Sequence, residues 1–326
     1  MGRSVPGQGK ITMEYRNLGN SGIKISFLSM GTLTMSPMQK DIAPDKAGEL
    51  MRKAFSEGIN YFDSAEIYRT YKHIKASGLP AEALIGSKSY AVTYEEMRES
   101  IEKARRETDR DIIDMFMLHQ QESALTLKGH HGAIEYMAEA KRRGIIRAAG
   151  ISTHNIAGVR GAAELEELDF IFAIFNYMGL GILDGTKEEM AEALEYAASK
   201  GKGILIMKGL GGGHCFREPE KAFDFLRQYP WISSVVIGMQ NEDEIKANLS
   251  LISGKPLPNE LSRRIFERKR YLNVEHEGCL KCGTCASRCD QHAITLGENG
   301  ISVDHSKCIL CGYCASVCPE FCLEVV

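Results

Sequence analysis

The residues best suited to chemistry are cysteines crowded toward one end of the 326-residue chain, where all but Cys215 of the ten fall at or after residue 279. Cys279, Cys282, Cys285 and Cys289 stand in CLKCGTCASRC, and Cys308, Cys311, Cys314 and Cys318 stand in CILCGYCASVCP. Both runs have the spacing C-x2-C-x2-C-x3-C, and each cysteine of the first recurs 29 positions later in the second, so the segment is an internal repeat. Thiolates at this spacing wrap four-iron, four-sulfur clusters, which pass single electrons. Zinc sites take their ligands in two pairs, whereas each run offers a compact trio and a lone fourth. Gly283, Ala286, Gly312 and Ala315 let the backbone wrap closely and aim N–H groups at the cluster sulfurs. Asp290 follows Cys289 where a proline is usual, and Cys322 is spare, expected as a buried thiol near the second cluster.

Such a module needs something to act on, and the preceding 260 or so residues read as a scaffold. Short apolar runs at 25–30, 61–63, 84–88, 113–118, 145–151, 170–175, 204–207 and 235–237 read as strands. Amphipathic stretches at 45–57, 94–107, 132–142, 188–200 and 243–251 fall between them. Eight strand-helix units predict a (β/α)8 barrel, an α/β fold whose chemistry belongs at the C-terminal ends of its strands. Asp63, Lys88, His119, Ser152, Asn176, Lys208 and Gly238 stand at those ends in turn. A lone Asp or Asn there commonly caps a helix, and a lone His commonly packs. Their concurrence around one rim points to a site.

The charges nearly cancel, 40 Lys+Arg against 43 Asp+Glu, so no broad basic face points to nucleic acid or an anionic membrane. No apolar run approaches the ~20 residues of a membrane helix, and MGRSVPGQGK lacks the apolar core of a signal peptide. A cytoplasmic protein is expected, in which clustered cysteines bind metal rather than form disulfides.

Two resemblances sharpen these expectations. The cysteine runs are those of bacterial two-cluster ferredoxins, in which the fourth cysteine of each run ligates the other cluster. That likeness implies Cys279, Cys282, Cys285 and Cys318 on one cluster and Cys308, Cys311, Cys314 and Cys289 on the other. Segments 293–296, 301–303 and 323–326 are expected as the short strands of this small α+β unit. The earlier region resembles the aldo-keto reductase family, in its ferredoxin-fused branch. The likeness lies in MEYRNLGNSGIKISFLSMGT from Met13, INYFDSAEIY at 59–68, IGSKSY at 85–90, IDMFMLH at 113–119, GISTHN at 150–155 and VIGM at 236–239. The implied layout is an extension over 1–12, a barrel over 13–255, a helical linker over 256–275 and a two-cluster domain over 276–326.

The family's catalytic positions fall on Asp63, Tyr68, Lys88 and His119. Hydride transfer to a carbonyl develops charge on oxygen, so a proton donor is needed beside it. Tyr68 is the implied general acid, with Lys88 lowering its pKa, Asp63 holding Lys88, and His119 orienting the carbonyl. The resemblance implies a nicotinamide cofactor, held by Ser152, Asn176, Gly238, Asn248 and the loop Lys208, Gly209, Leu210 and Gly211, whose N–H groups suit a phosphate. The pocket departs from the family at Thr153, Phe172 and Met207. Glu244 stands where a base would grip the 2′-phosphate, which favours NADH over NADPH. Because clusters pass one electron and a nicotinamide two, a flavin is the alternative mediator. The expected partners are a small carbonyl or alcohol and a redox protein, with loops 69–80 and 120–130 setting specificity. The competing readings are an electron-transfer or regulatory protein whose barrel binds a nucleotide or flavin, and clusters that serve structure alone.

Overall fold

Eight apolar runs, each too short for a membrane or coiled-coil helix and each buried on both faces, pair in parallel and close on themselves. They are β3 (Leu28–Gly31), β4 (Tyr61–Asp63), β5 (Leu84–Ser89), β6 (Ile113–Leu118), β7 (Ile146–Thr153), β8 (Phe170–Ile174), β9 (Gly203–Met207) and β10 (Ile232–Gly238). The strands follow one another in chain order around the barrel, and β10 closes on β3. The structure, a computed structural model, describes residues 12–257, 259–266, 270–320 and 322–325. The predicted extension therefore lies outside the described residues, apart from Thr12.

The expected strand over 25–30 is two strands. β2 (Lys24–Ser26) pairs antiparallel with β1 (Tyr15–Asn17), and only then does β3 enter the barrel. Ser26 causes the break. Its N–H donates to Asn60 Oδ1 at 2.7 Å and its hydroxyl to the Leu28 carbonyl at 2.7 Å, diverting groups that a continuous strand would pair. The hairpin buries Leu18, Ile23 and Ile25 against Tyr61, Met115 and Phe170, so one end of the barrel is plugged. The other end is left for the site.

The helices begin where local chemistry dictates. Thr93 and Thr186 form reciprocal capping boxes with Glu96 and Glu189, starting the helices Tyr94–Thr108 and Lys187–Ser199. Pro44 opens the helix Pro44–Ser56, where its missing N–H costs nothing. The expected specificity loops contain helices, Tyr71–Ser77 within 69–80 and Ala124–Gly129 within 120–130. The second is nucleated by a Ser123–Thr126 capping box, in which Thr126 takes the place of the usual acid.

The predicted helical linker is helical over Asn259–Phe266, but 272–274 is strand. This strand, β11 (Leu272–Val274), pairs antiparallel with β14 (Leu323–Val325) and ties the two ends of the cysteine-rich unit together. The strand expected over 323–326 is present as β14 and takes its partner from the linker. Between them, β12 (Ile294–Gly297) and β13 (Gly300–Val303) form a hairpin.

The small unit sits on the open end of the barrel. Three successive carbonyls of its second cysteine run meet the barrel: Cys308 O lies 2.7 Å from His214 Nε2, Ile309 O accepts from Lys208 Nζ at 3.1 Å, and Leu310 O accepts from Gln39 Nε2 at 3.0 Å. Ile309 itself is 2% exposed and joins the main barrel core. The fit is close. A Cβ on Gly212, whose φ is +67°, would lie 2.2 Å from the Ile309 oxygen. Gly212→Ala should therefore destabilise this docking by roughly 2 kcal/mol or more, the sum of left-handed strain and overpacking. Hydrogen exchange at residues 308–313 should accelerate in the variant; unchanged protection there would refute the contact.

Candidate active site

The strand ends bring Asp63, Lys88 and His119 to one rim, and the short turn Glu66–Tyr68 after β4 carries Tyr68 in beside them. Lys88 Nζ donates to both oxygens of Asp63, at 2.8 and 2.7 Å, and to the Ser64 carbonyl at 2.7 Å. Both side chains are buried, 1% and 5% exposed. Burial pushes Lys88 down and Asp63 up, and their mutual attraction opposes both shifts. The ammonium lies 4.8 Å from the centre of the Tyr68 ring.

Tyr68 does not have the lowered pKa expected from Lys88. Burial, with Asp63 second, holds the phenol well above its ordinary value. The reason is that Asp63 and Lys88 are a matched pair, so little net positive field reaches the hydroxyl, while water that would solvate a phenolate is excluded. His119 is fully buried. Burial, and then the charge of Lys88, push it well below the usual imidazole range, so it is neutral. Its Nδ1 has no partner, which favours a proton on Nε2, the more useful nitrogen for holding an oxygen.

A cavity of about 180 Å3 opens over these groups. Asp63, Tyr68, Lys88 and His119 all line it. So do Ser152, Lys208, Gly209, Leu210 and Gly238 from the expected cofactor residues, and the departures Phe172 and Met207. Asn176, Gly211 and Asn248 do not line it. Asn176 is turned into its own loop, where its amide donates to Leu180 O at 2.9 Å and its Oδ1 accepts from Leu180 N at 3.1 Å. Glu244 is also withdrawn, since its carboxylate accepts from Gln240 N at 2.8 Å and from the Asn241 amide at 3.1 Å. Instead Arg270, from the linker, lines the cavity as a cation that the sequence reading passed over.

The roof comes from the cysteine-rich unit: Leu310, Cys311 and Tyr313 line the same cavity. Cys289, Cys308, Cys311 and Cys314 together line a second, small cavity, so Cys311 belongs to both walls. Cys318, from the second run, acts on Cys285 of the first, and Cys289, from the first run, acts on Cys308, Cys311 and Cys314 of the second. The loops repeat in detail, with left-handed Lys281 and Gly283 matched by Leu310 and Gly312. This geometry turns N–H groups inward, as with Ala293 N toward Cys289 Sγ at 3.4 Å and Cys322 N toward Cys318 Sγ at 3.2 Å. The two sites differ in exposure: Cys282 is exposed, whereas Cys308 and Cys314 are buried.

Residues 28–228 match the Aldo/keto reductase family. The chain belongs to the aldo/keto reductase family. This aldo/keto reductase also matches a 4Fe-4S dicluster domain over residues 271–319. It is similar to L-galactose dehydrogenase of Arabidopsis thaliana, at 23% identity over 285 residues, 74% of this chain and 88% of the relative. It is also similar to protein tas of Escherichia coli, at 21% over 323 residues, 73% and 92% of the two chains. Its fold overlays an aldo-keto reductase structure from Pseudomonas aeruginosa with a TM-score of 0.64 at 24% identity, covering 73% of this chain and 94% of that one. An aldo-keto reductase from Bacillus halodurans gives 0.61 at 20%, covering 78% and 96%. Among the described residues of this aldo/keto reductase, no helix is long and apolar enough to cross a membrane.

Proposed function

We propose that this oxidoreductase interconverts a carbonyl and an alcohol at Asp63, Tyr68, Lys88 and His119, in electronic contact with two [4Fe-4S] clusters. Cys279, Cys282, Cys285 and Cys318 hold the outer cluster, and Cys289, Cys308, Cys311 and Cys314 the inner one. The observation that carries the reading is that Cys311 lines both the catalytic cavity and the cysteine-lined cavity. The donor chemistry suits the clusters: Cys289 acts on Cys308, Cys311 and Cys314, Cys318 acts on Cys285, and N–H groups of Ala293 and Cys322 point at the Cys289 and Cys318 sulfurs. A bound cluster supplies single-electron transfer, and a bound nicotinamide supplies a hydride.

The chain's own residues then have defined tasks. Tyr68 keeps its proton throughout the neutral range and can give it to an oxygen in the cavity. Neutral His119 orients that oxygen. Lys88, fixed by Asp63 and the Ser64 carbonyl, steadies the negative charge that develops there. Phe172 and Met207 offer apolar walls to a flat ring, Ser152 a hydroxyl, and Lys208 and Arg270 the cations for an anionic tail. Glu244 acts on Arg270, so the cavity's added cation has an acid beside it. A redox protein would approach the outer cluster, where Cys282 is exposed and Leu280 is 65% exposed.

A second reading, an electron-transfer or regulatory protein whose barrel binds a nucleotide or flavin without fast carbonyl reduction, draws support from Asn176 and Lys208. The first is tied to its own loop and the second is engaged by Ile309. One experiment separates the two. Protein purified without oxygen is mixed with NADH or NADPH and then with a panel of aldehydes. Bleaching of the visible cluster absorption by the nicotinamide and its return on adding an aldehyde is the expected result; a spectrum indifferent to both would overturn electronic contact.

A further inference from the structure

The oxygen position of the proposed site is filled by the protein itself. The Tyr313 hydroxyl lies 3.0 Å from His119 Nε2, the nitrogen that would hold a ligand oxygen. It also acts on the Tyr68 phenol as a side-chain hydrogen-bond partner. Buried Tyr68 and Tyr313 stand edge-on to buried His119 at 5.9 and 6.1 Å, and the more exposed Tyr90 stacks on it at 4.5 Å. Met38 and Ala65 pack around Tyr68 and Tyr313, and the Arg288 guanidinium covers the Tyr313 ring at 4.8 Å. An oxygen-bearing ligand that takes the His119 Nε2 hydrogen bond must replace this hydroxyl, because two oxygens cannot occupy one position beside the same ring nitrogen.

Tyr313 lies between Cys311 and Cys314 in sequence, and Cys311 packs against the hydrophobic cluster that holds its ring, so displacement of the ring bears on the loop that carries both cysteines. Gly312 adds a constraint. Its φ of +78° and the close approach of the Met38 carbonyl, 2.5 Å from where a Cβ would stand, seat this turn against the barrel loop 33–38.

We propose that the Tyr313 hydroxyl is a displaceable occupant of the oxygen position, so that a ligand oxygen entering between Tyr68 and His119 exchanges for it and shifts the Cys311–Cys314 loop. The inference rests on the reading of Tyr68 and His119 as the oxygen-binding pair. It makes the dicluster domain part of the barrel's binding site, and it couples occupancy of one to the surroundings of the other. By linkage the coupling runs both ways.

The test uses binding and not turnover, so a barrel without reductase activity leaves it intact. The full chain, loaded with iron and sulfide and kept anaerobic, is titrated with benzyl alcohol by calorimetry. In Tyr313→Phe the ring remains but the competing hydroxyl is gone, leaving the His119 and Tyr68 groups free to take the probe's oxygen. Binding should tighten about tenfold, the scale of one neutral hydrogen bond no longer competing. A merely structural Tyr313 would lower the melting temperature and leave affinity unchanged. The second measurement needs no variant: the electron paramagnetic resonance signal of the dithionite-reduced inner cluster should change when wild-type protein is saturated with the probe. Equal or weaker binding by Tyr313→Phe, no binding by either protein, or a cluster signal indifferent to the probe would each overturn the proposal.

Discussion

Tyr68→Phe should lower carbonyl turnover by a factor of about 10²–10⁴, the range for removing a positioned general acid, while iron content and visible absorption stay at wild-type levels. The argument is local. The substitution removes one oxygen and keeps the ring that packs against Met38, Ala65 and Tyr313, so the barrel and the dicluster unit retain their contact. The hydroxyl it removes belongs to the ring that lies beside both Lys88, 4.8 Å from its centre, and His119. Lys88 is a poor substitute, because its three protons are spent on two carboxylate oxygens and the Ser64 carbonyl. The wild-type pH profile supplies a second check. Because burial holds the Tyr68 phenol well above its ordinary value, the proton stays on at high pH, and the alkaline limb of the profile should lie above pH ~10. A limb near neutrality, or full activity in Tyr68→Phe, would remove Tyr68 from the role.

Cys289→Ala should empty the inner cluster and Cys318→Ala the outer one, the reverse of what their places in the sequence suggest. Each variant should retain roughly half of the wild-type iron. The consequences differ because the chambers differ. The inner chamber is walled by residues 308–314, whose carbonyls carry the contacts to His214, Lys208 and Gln39. Metal binding is folding free energy for a small unit of this kind. Loss of the inner cluster should therefore release the roof of the catalytic cavity as well, seen as faster proteolysis within 305–315. Cys318→Ala should leave that roof in place. Iron analysis with electron paramagnetic resonance decides the matter, and a Cys289 variant that retained the signal of the buried cluster would refute the crossed pairing.

Much of this was open to inspection in the chain itself. The 29-residue repeat of cysteine spacing determines a dicluster module whatever precedes it, since ligand type and spacing are local properties. Seven of the eight barrel strands are also local, each close to a short, largely apolar run. The exceptions have identifiable causes. The run at 25–30 breaks because Ser26 and Asn60, 34 residues apart, take each other's backbone groups. The helix at 124–129 hides in a polar stretch because its cap uses Thr126 where an acid is usual.

The sequence also named Asp63, Tyr68, Lys88 and His119 as a group, and the tertiary structure brings them to one cavity. What it could not carry is the field among them. Lys88 raises expectations of an acidic tyrosine only if Asp63 is ignored, and burial is a property of the folded whole. Asn176 and Asn248 read as cofactor ligands, yet one is turned into its own loop and the other is kept out of the cavity by the helix that carries it.

The cysteine runs alone said that electrons can pass, and the strand ends alone said that a proton and a charged oxygen can be handled. Only the tertiary structure decided that the two meet, with Ile309 in the barrel core, Cys311 in the cavity wall and the Tyr313 hydroxyl 3.0 Å from His119. The physical reason is that docking depends on surface shape. A left-handed glycine at 212, a carbonyl at 309 and a lysine at 208 are unremarkable one by one, and they specify an interface only once the barrel has set them side by side.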